Sequence, residues 1–264
     1  MLTPSEYRLI NGHELDAVPA CLYHAKANAH ARILASSQWL IRDKRNGEYI
    51  AALSDRHMTF FRRSPWHQAR LDGIAELLAG PDRRTAYRPL TDLEPHLAEL
   101  GIDAGEYVAE SGLSPVAEPS ELEFAGHDRY RRPLWLEYDT SKAWHRLRRA
   151  AAADGVAIDA ISGFRSQHYQ MGIFRRKMAR GLRVADILTV NAAPGFSEHH
   201  SGRAIDIGTH GEPAAEESFE RTPAFDWLQR QAGRFGFRLS FPRGNSHGIG
   251  YEPWHWYWTG DAQS

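Results

Sequence analysis

The chain has 264 residues, with 33 acidic and 32 Lys or Arg side chains, a formal net charge of -1 and an aromatic content of 11%. That length supports one large or two small domains with a real core, and the near-neutral balance gives no electrostatic reason to expect nucleic acid or a membrane surface as partner. One cysteine, Cys21, excludes an internal disulfide framework.

Residues 1–20 carry Glu6, Arg8, His13, Glu14 and Asp16, so they lack the apolar core of a signal peptide. No run of about 18 apolar residues occurs, so no transmembrane helix is expected. On these grounds alone the chain reads as soluble and cytoplasmic. Residues 25–35 are Ala-rich and helix-prone. Residues 38–42 and 49–53 flank Asp43-Lys-Arg-Asn-Gly47, which reads as a hairpin with an Asn-Gly turn. Residues 67–78 have helical spacing, stopped by Gly80-Pro81. Residues 95–100 and 104–111 suit two short helices. His57, Arg62, Arg63 and His67 read as a solvated basic face. Pro115 to Pro119 reads as a linker, which divides the chain into residues 1–119, a mixed α/β region with no assigned role, and residues 120–264.

The second part opens with a strand over Pro133-Leu-Trp-Leu-Glu-Tyr138 and a helix over residues 141–153, closed by Asp154-Gly155. A strand over 156–161 delivers Ser162-Gly-Phe-Arg165-Ser166 to its end. A helix over 167–180 carries Arg175, Arg176, Lys177 and Arg180 as a wet face, with attraction of an anionic wall polymer as the functional alternative. Thr222 and Pro223 suit the N-cap and first position of a helix reaching Phe235. Residues 237–241 form a strand, residues 242–250 a glycine-bearing loop, and residues 252–258 the last strand. Helices and strands do not alternate regularly, so an α+β domain with an antiparallel sheet and flanking helices is expected.

Candidate chemistry concentrates in Ser197-Glu-His-His-Ser-Gly-Arg-Ala-Ile-Asp206 and Glu252-Pro-Trp-His255. His199 and Asp206 lie seven apart, an odd offset that would put them on opposite faces of a continuous strand. The chain must turn between them, and Gly202 permits that. With His255 they make three nitrogen and oxygen donors, the number a catalytic zinc site takes while keeping one position open. Glu252 suits a general base, provided Pro253 kinks the strand so that it shares a side with His255. Arg165 suits an oxyanion or a substrate carboxylate. Taken singly, a His or Asp is more often hydrogen-bonded scaffold than ligand, and His200 is the rival to His199. His247 keeps the scaffold reading. Trp254, Trp256 and Trp258 read as core and pocket wall.

Taken together, these blocks resemble the VanY-type zinc D-alanyl-D-alanine carboxypeptidases of peptidase family M15, in the group that includes lysostaphin-type peptidases and the hedgehog signalling domain. The pattern Ser-x-His-x-x-Gly-x-Ala-x-Asp is met at Ser197, His199, Gly202, Ala204 and Asp206. Glu-x-x-His is met at Glu252 and His255. The Ser-Gly-Tyr-Arg-Ser block is met at Ser162-Gly-Phe-Arg165-Ser166, with Phe164 in place of tyrosine and Gln170 following. The resemblance covers residues 120–264. It implies a hedgehog/DD-peptidase-like fold, zinc on His199, Asp206 and His255, Glu252 as base, Arg165 as transition-state clamp, and Ser197 and Gln170 near substrate. It further implies removal of a C-terminal D-amino acid from peptidoglycan stem peptides or similar short peptides, and a periplasmic or cell-envelope location. A wall endopeptidase and a non-catalytic zinc-containing binding domain are the alternatives. Retention of both Glu252 and Arg165 argues against the binding domain.

Overall fold

A computed structural model describes residues 7–25, 27–54, 57–61, 73–74, 77–80 and 86–260. The chain separates into two compact units: residues 1–88 with 119–124, and residues 89–118 with 125–264.

The first unit is an antiparallel meander of β1 (Arg8–Asn11), β2 (Leu15–Pro19), β3 (Trp39–Asp43), β4 (Tyr49–Leu53) and β5 (Met58–Phe60). β6 (Glu121–His127) pairs with β1 through its first residues, Leu9 lying opposite Leu122. The β3–β4 hairpin turns where the Asn-Gly signal places it, with Gly47 at φ 74 and its amide bonded to the Asp43 carbonyl. Alternation puts Ile10, Ala17, Ile41 and Ala51 into one buried cluster. The helix expected over 25–35 is α1 (Asn28–Ala35). Sequence reading gave no strands to residues 8–19, where β1 and β2 form. Of the helix expected over 67–78, only Gly73, Ile74 and Leu77–Leu78 are described, and they are helical. Arg62, Arg63 and His67 lie outside the described residues; His57 contacts the Ser54 hydroxyl at 3.2 Å.

The second unit is α+β. Its sheet is fully antiparallel, in the order β10 (Phe237–Leu239), β11 (His255–Trp258), β9 (Ala204–Gly208), β8 (Asp159–Ser162). Ile205, Ile207, Trp256 and Trp258 point to one face, where α4 (Tyr138–Ala153) contributes Trp144 and Leu147 and α7 (Pro223–Gln231) contributes Phe225 and Leu228. The helices begin at side-chain caps: Glu137 accepts from Asp139 and Thr140, and Thr222 accepts from Phe225. The opposite face of β9 and β11 carries Asp206 and His255. Trp256 and Trp258 are therefore core, as expected, and Trp254 packs against the same cluster.

The units are not separated by one cut at residue 119: the chain crosses between them at 88/89, 118/119 and 124/125. α2 (Leu93–Leu100) and α3 (Ala104–Ser111) pack in the second unit, where Leu93, Leu97, Tyr107 and Leu113 share a core with Ala193, Phe196, Phe241 and Ile249. Pro115–Pro119 is not a spacer. Val116 donates its amide to the Gly195 carbonyl at 2.7 Å, and the buried Glu118 carboxylate accepts the Gln167 amide at 2.6 Å. Apolar spacing showed the helices, while their partners lie about a hundred residues away.

Candidate active site

The site assembles from three chain segments on the face of the four-stranded sheet opposite Trp256 and Trp258. Register does the first part: His255 on β11 is the cross-strand partner of Asp206 on β9. Directly opposed residues share a face, and Asp206 Oδ1 lies 3.2 Å from His255 Nδ1. His199 arrives from a 3₁₀ turn over Glu198–Ser201, which ends at Gly202 in the left-handed region at φ 69. A side chain at position 202 would be strained there. The turn brings His199 Nε2 to 3.2 Å from the same Asp206 oxygen.

The Ser162–Ser166 block follows β8 and runs beside that turn. Gly163 sits so close to β7 (Pro133–Leu136) that a Cβ would meet the Trp135 carbonyl at 2.8 Å and Leu134 at 2.7 Å. Its carbonyl contacts His199 Nδ1 at 2.7 Å. The Arg165 amide bonds the His199 carbonyl at 3.2 Å, and Arg165 Nη2 lies 3.5 Å from Asp206 Oδ2.

Glu252 is not on a strand. The last strand begins at His255, and residues 252–254 form a turn in which the His255 amide bonds the Glu252 carbonyl at 3.1 Å. No kinked strand is needed for Glu252 Oε2 to reach 3.7 Å from His255 Nδ1.

His200 separates from its neighbour. Its Nε2 accepts the Gly195 amide at 3.1 Å, so Nδ1 carries the proton donated to the Arg165 carbonyl at 2.6 Å. Both nitrogens are committed to backbone. His247 likewise bonds the Ser111 carbonyl. Arg175, Arg176 and Arg180 are exposed, as a wet face requires, with Arg175 paired to Glu99 at the surface; Lys177, also on α5 (Gln167–Met178), is half-buried and donates to Asn191 Oδ1 at 2.5 Å.

Sequence reading assigned no role to Glu198. Its Oε2 lies 2.8 Å from His255 Nε2, and its Oε1 accepts Arg238 Nη2 at 3.0 Å. The signal available was its place beside a ligand candidate, and that alone does not say where the side chain points.

Electrostatics sort the protonation states. Burial, reinforced by Arg165, lowers the His199 pKa to about 4. Burial works against the His255 cation too, but Asp206 and Glu198 outweigh it and raise that pKa to about 10. Burial also opposes charge on Asp206, yet His199, His255 and Arg165 hold its pKa well below the usual range. Burial pushes Glu252 up to about 7.

A metal ion suits this geometry. His199 is neutral and gives its Nδ1 proton to Gly163, so its Nε2 lone pair faces a carboxylate oxygen with no proton between them. A cation satisfies both acceptors. Ligand atoms at about 2.0–2.1 Å from a tetrahedral ion lie roughly 3.3 Å apart, close to the two 3.2 Å separations observed. Among the described residues, His199, Asp206 and His255 are the group of three whose ligand atoms lie within 4.8 Å of one another. Gly163 behind His199 and Glu198 behind His255 are carbonyl and carboxylate partners of the kind that orient metal-binding imidazoles.

The cleft beside this triad is lined by Arg165, Gln170, Asn191, Ala192, Ser197 and Glu252, among others. Gln170 is buried, donates to the Ala192 carbonyl at 2.9 Å and keeps an unpartnered Oε1. No helix among the described residues is long and apolar enough to cross a membrane.

Comparison with known proteins places this arrangement. The family model of VanY, D-alanyl-D-alanine carboxypeptidase, matches residues 133–261. The putative carboxypeptidase YodJ of Bacillus subtilis (strain 168) is 31% identical over 153 residues, 54% of this chain and 55% of that protein, so the chain spans just over half that relative's length. Among solved structures, a mutant vancomycin-resistance D,D-pentapeptidase VanY in complex with Zn(II) aligns at 30% identity, over 48% of this chain and 74% of that one, with a TM-score of 0.41. The bifunctional D-Ala-D-Ala dipeptidase and D-Ala-D-Ala carboxypeptidase VanXYC of Enterococcus gallinarum is 30% identical over 142 residues, 52% of this chain and 71% of the relative. A family match that spans all the segments converging on the His199–Asp206–His255 triad, together with this coverage of a relative, shows that the chain belongs to the VanY D-alanyl-D-alanine carboxypeptidase family.

Proposed function

We propose that the chain is a zinc carboxypeptidase that removes a C-terminal D-amino acid from peptidoglycan stem peptides or similar short peptides. The observation that carries this reading is the pairing of an N₂O donor set with a carboxylate, Glu252, set 3.7 Å from one donor nitrogen and not needed as a ligand. His199 through Nε2, His255 through Nδ1 and an Asp206 carboxylate oxygen hold the metal. Three protein ligands leave one position open, which is the catalytic rather than the structural pattern. Zinc there supplies Lewis-acid polarisation and lowers the pKa of water.

The chain's own residues do the rest. Glu252 takes the proton of the attacking water and passes it to the leaving amine. Before the ion's own charge is counted, burial raises the Glu252 pKa to about 7, which makes it a stronger base than an ordinary carboxylate. Arg165 presents a guanidinium whose buried Nε has no partner, ready for a developing oxyanion or a substrate carboxylate. Gln170 Oε1, buried and without a partner in the protein, is an acceptor for a substrate amide N–H, and Ser197, buried at the cleft, supplies a hydroxyl. Membership of a wall-acting family supports work in the cell envelope.

The test is incubation of the zinc-loaded protein with defined muropeptides: tetrapeptides, pentapeptides ending in D-Ala-D-Ala, and cross-linked dimers. Products are identified by mass. Loss of one D-alanine from the pentapeptide is expected. Cleavage of the dimer alone identifies an endopeptidase, and turnover of none of them by fully loaded protein removes the proposal.

A further inference from the structure

The wall of the cleft contributed by residues 189–197 contains neither helix nor strand. A segment without regular backbone pairing is shaped by whatever bonds it from outside. Here the tethers come from several directions. Gln170 holds the Ala192 carbonyl at 2.9 Å, and the Gly250 amide holds the Thr189 carbonyl at 2.9 Å. The third tether is the Tyr107 hydroxyl, which accepts the Ala193 amide at 3.0 Å. Ala193 is fully buried, so no solvent replaces that acceptor. The Tyr107 ring also stands edge-on to Phe196, centroids 4.9 Å apart, one residue before Ser197. Leu93 closes on Gly195, where a Cβ would meet its Cδ1 at 2.3 Å.

Tyr107 and Leu93 lie on α3 and α2, upstream of the matched family region at 133–261. We infer that Tyr107 is a positioning residue for substrate: its hydroxyl fixes Ala193 and so sets the Asn191–Ala192 wall opposite Glu252 and Arg165. This rests on the peptidase reading of the cleft. In it, specificity is set partly from a segment outside the family's shared region. Tyr107 touches none of the three metal donors, so its effect falls on binding the peptide and not on the bond-breaking step. An interaction made equally with bound substrate and transition state changes KM and leaves kcat.

The test is Tyr107→Phe in the full zinc-loaded chain, which keeps the ring and its packing and removes one oxygen. Three readouts are taken: amide exchange of Ala193 without substrate, zinc per chain, and kcat and KM on the stem peptide that wild type cleaves best. The expected result is unchanged zinc, Ala193 exchange faster by about tenfold or more, and KM raised about three- to tenfold with kcat within about twofold. Unchanged KM despite faster exchange overturns the inference, as does a fall in kcat at constant KM. Slow Ala193 exchange in the variant overturns the tether itself. If wild type neither cleaves nor binds stem peptides, the peptidase reading falls and takes this consequence with it, whereas an active wild type with an indifferent Tyr107→Phe isolates failure of the inference alone.

Discussion

Glu252→Gln separates chemistry from architecture at this site. The substitution keeps the volume of a side chain that is 16% exposed and removes its ability to accept a proton. It leaves His199, Asp206 and His255 in place, so zinc per chain should match wild type. Loss of general-base help typically costs about 10²- to 10⁴-fold in rate, or roughly 3–5 kcal/mol of barrier. Peptide affinity should survive, since a proton transfer is made only in the transition state. The metal-free protein adds a second measurement. The Glu252 pKa is raised by burial from 4.5 to about 7. A carboxyl whose folded pKa exceeds its unfolded value favours folding when protonated, and stability is lost as pH rises from about 4.5 through about 7. At about 1.4 kcal/mol per pKa unit the loss reaches at most about 3 kcal/mol above pH 7. Metal-free Glu252→Gln, which has no charge to bury, should therefore be more stable than metal-free wild type at pH 8 and similar to it near pH 4. The assays are zinc content, D-alanine release from a D-Ala-D-Ala pentapeptide, and urea unfolding after chelation at both pH values. A fully zinc-loaded Glu252→Gln protein within tenfold of wild-type turnover would refute the assignment of Glu252 as base.

Three further outcomes are expected. His200→Ala should keep its zinc but lose roughly 1–3 kcal/mol of stability, because it strands the buried Gly195 amide and the Arg165 carbonyl; zinc analysis and urea unfolding report this. Glu198→Gln should weaken zinc binding about 10- to 100-fold by removing the charged partner of His255, and because Glu198 and Asp206 hold His255 protonated without metal, wild-type zinc affinity should rise with pH and release protons, both read by calorimetry in two buffers. A chain begun at residue 120 strips Leu93, Leu97, Tyr107 and Leu113 from the core they share with Phe196 and Phe241, so it should be insoluble or poorly folded; a soluble, cooperatively folding 120–264 fragment with full zinc would contradict that packing.

Local chemistry was legible in the sequence because it is carried by near neighbours. Gly202 must release the chain between His199 and Asp206, and the left-handed φ is found there. Thr222-Pro223 and Asp154-Gly155 bound helices for reasons contained within one turn. The candidate ligands, base and arginine could be named from residue type and spacing, and the structure brings all of them to one cleft. Tertiary structure decided what depends on distant partners. The β9–β11 register sets Asp206 against His255, and a shift of one residue would turn one of them into the core. Whether Glu252 shares a side with His255 was a question of strand parity in sequence; a turn at 252–254 removed it. The adjacent histidines look equivalent in a string, and only the carbonyls of Gly163 and Arg165 and the amide of Gly195 leave one with its Nε2 turned to Asp206 and make the other a brace. Pro115–Pro119 reads as a linker by composition, but hydrogen bonds that Val116 and Glu118 make with residues some fifty or more positions away hold residues 115–118 in the second unit, while Pro119 falls in the first. Composition and spacing specify what a side chain can do; the free energy that chooses its neighbour comes from burial and pairing across the fold, which no local window contains.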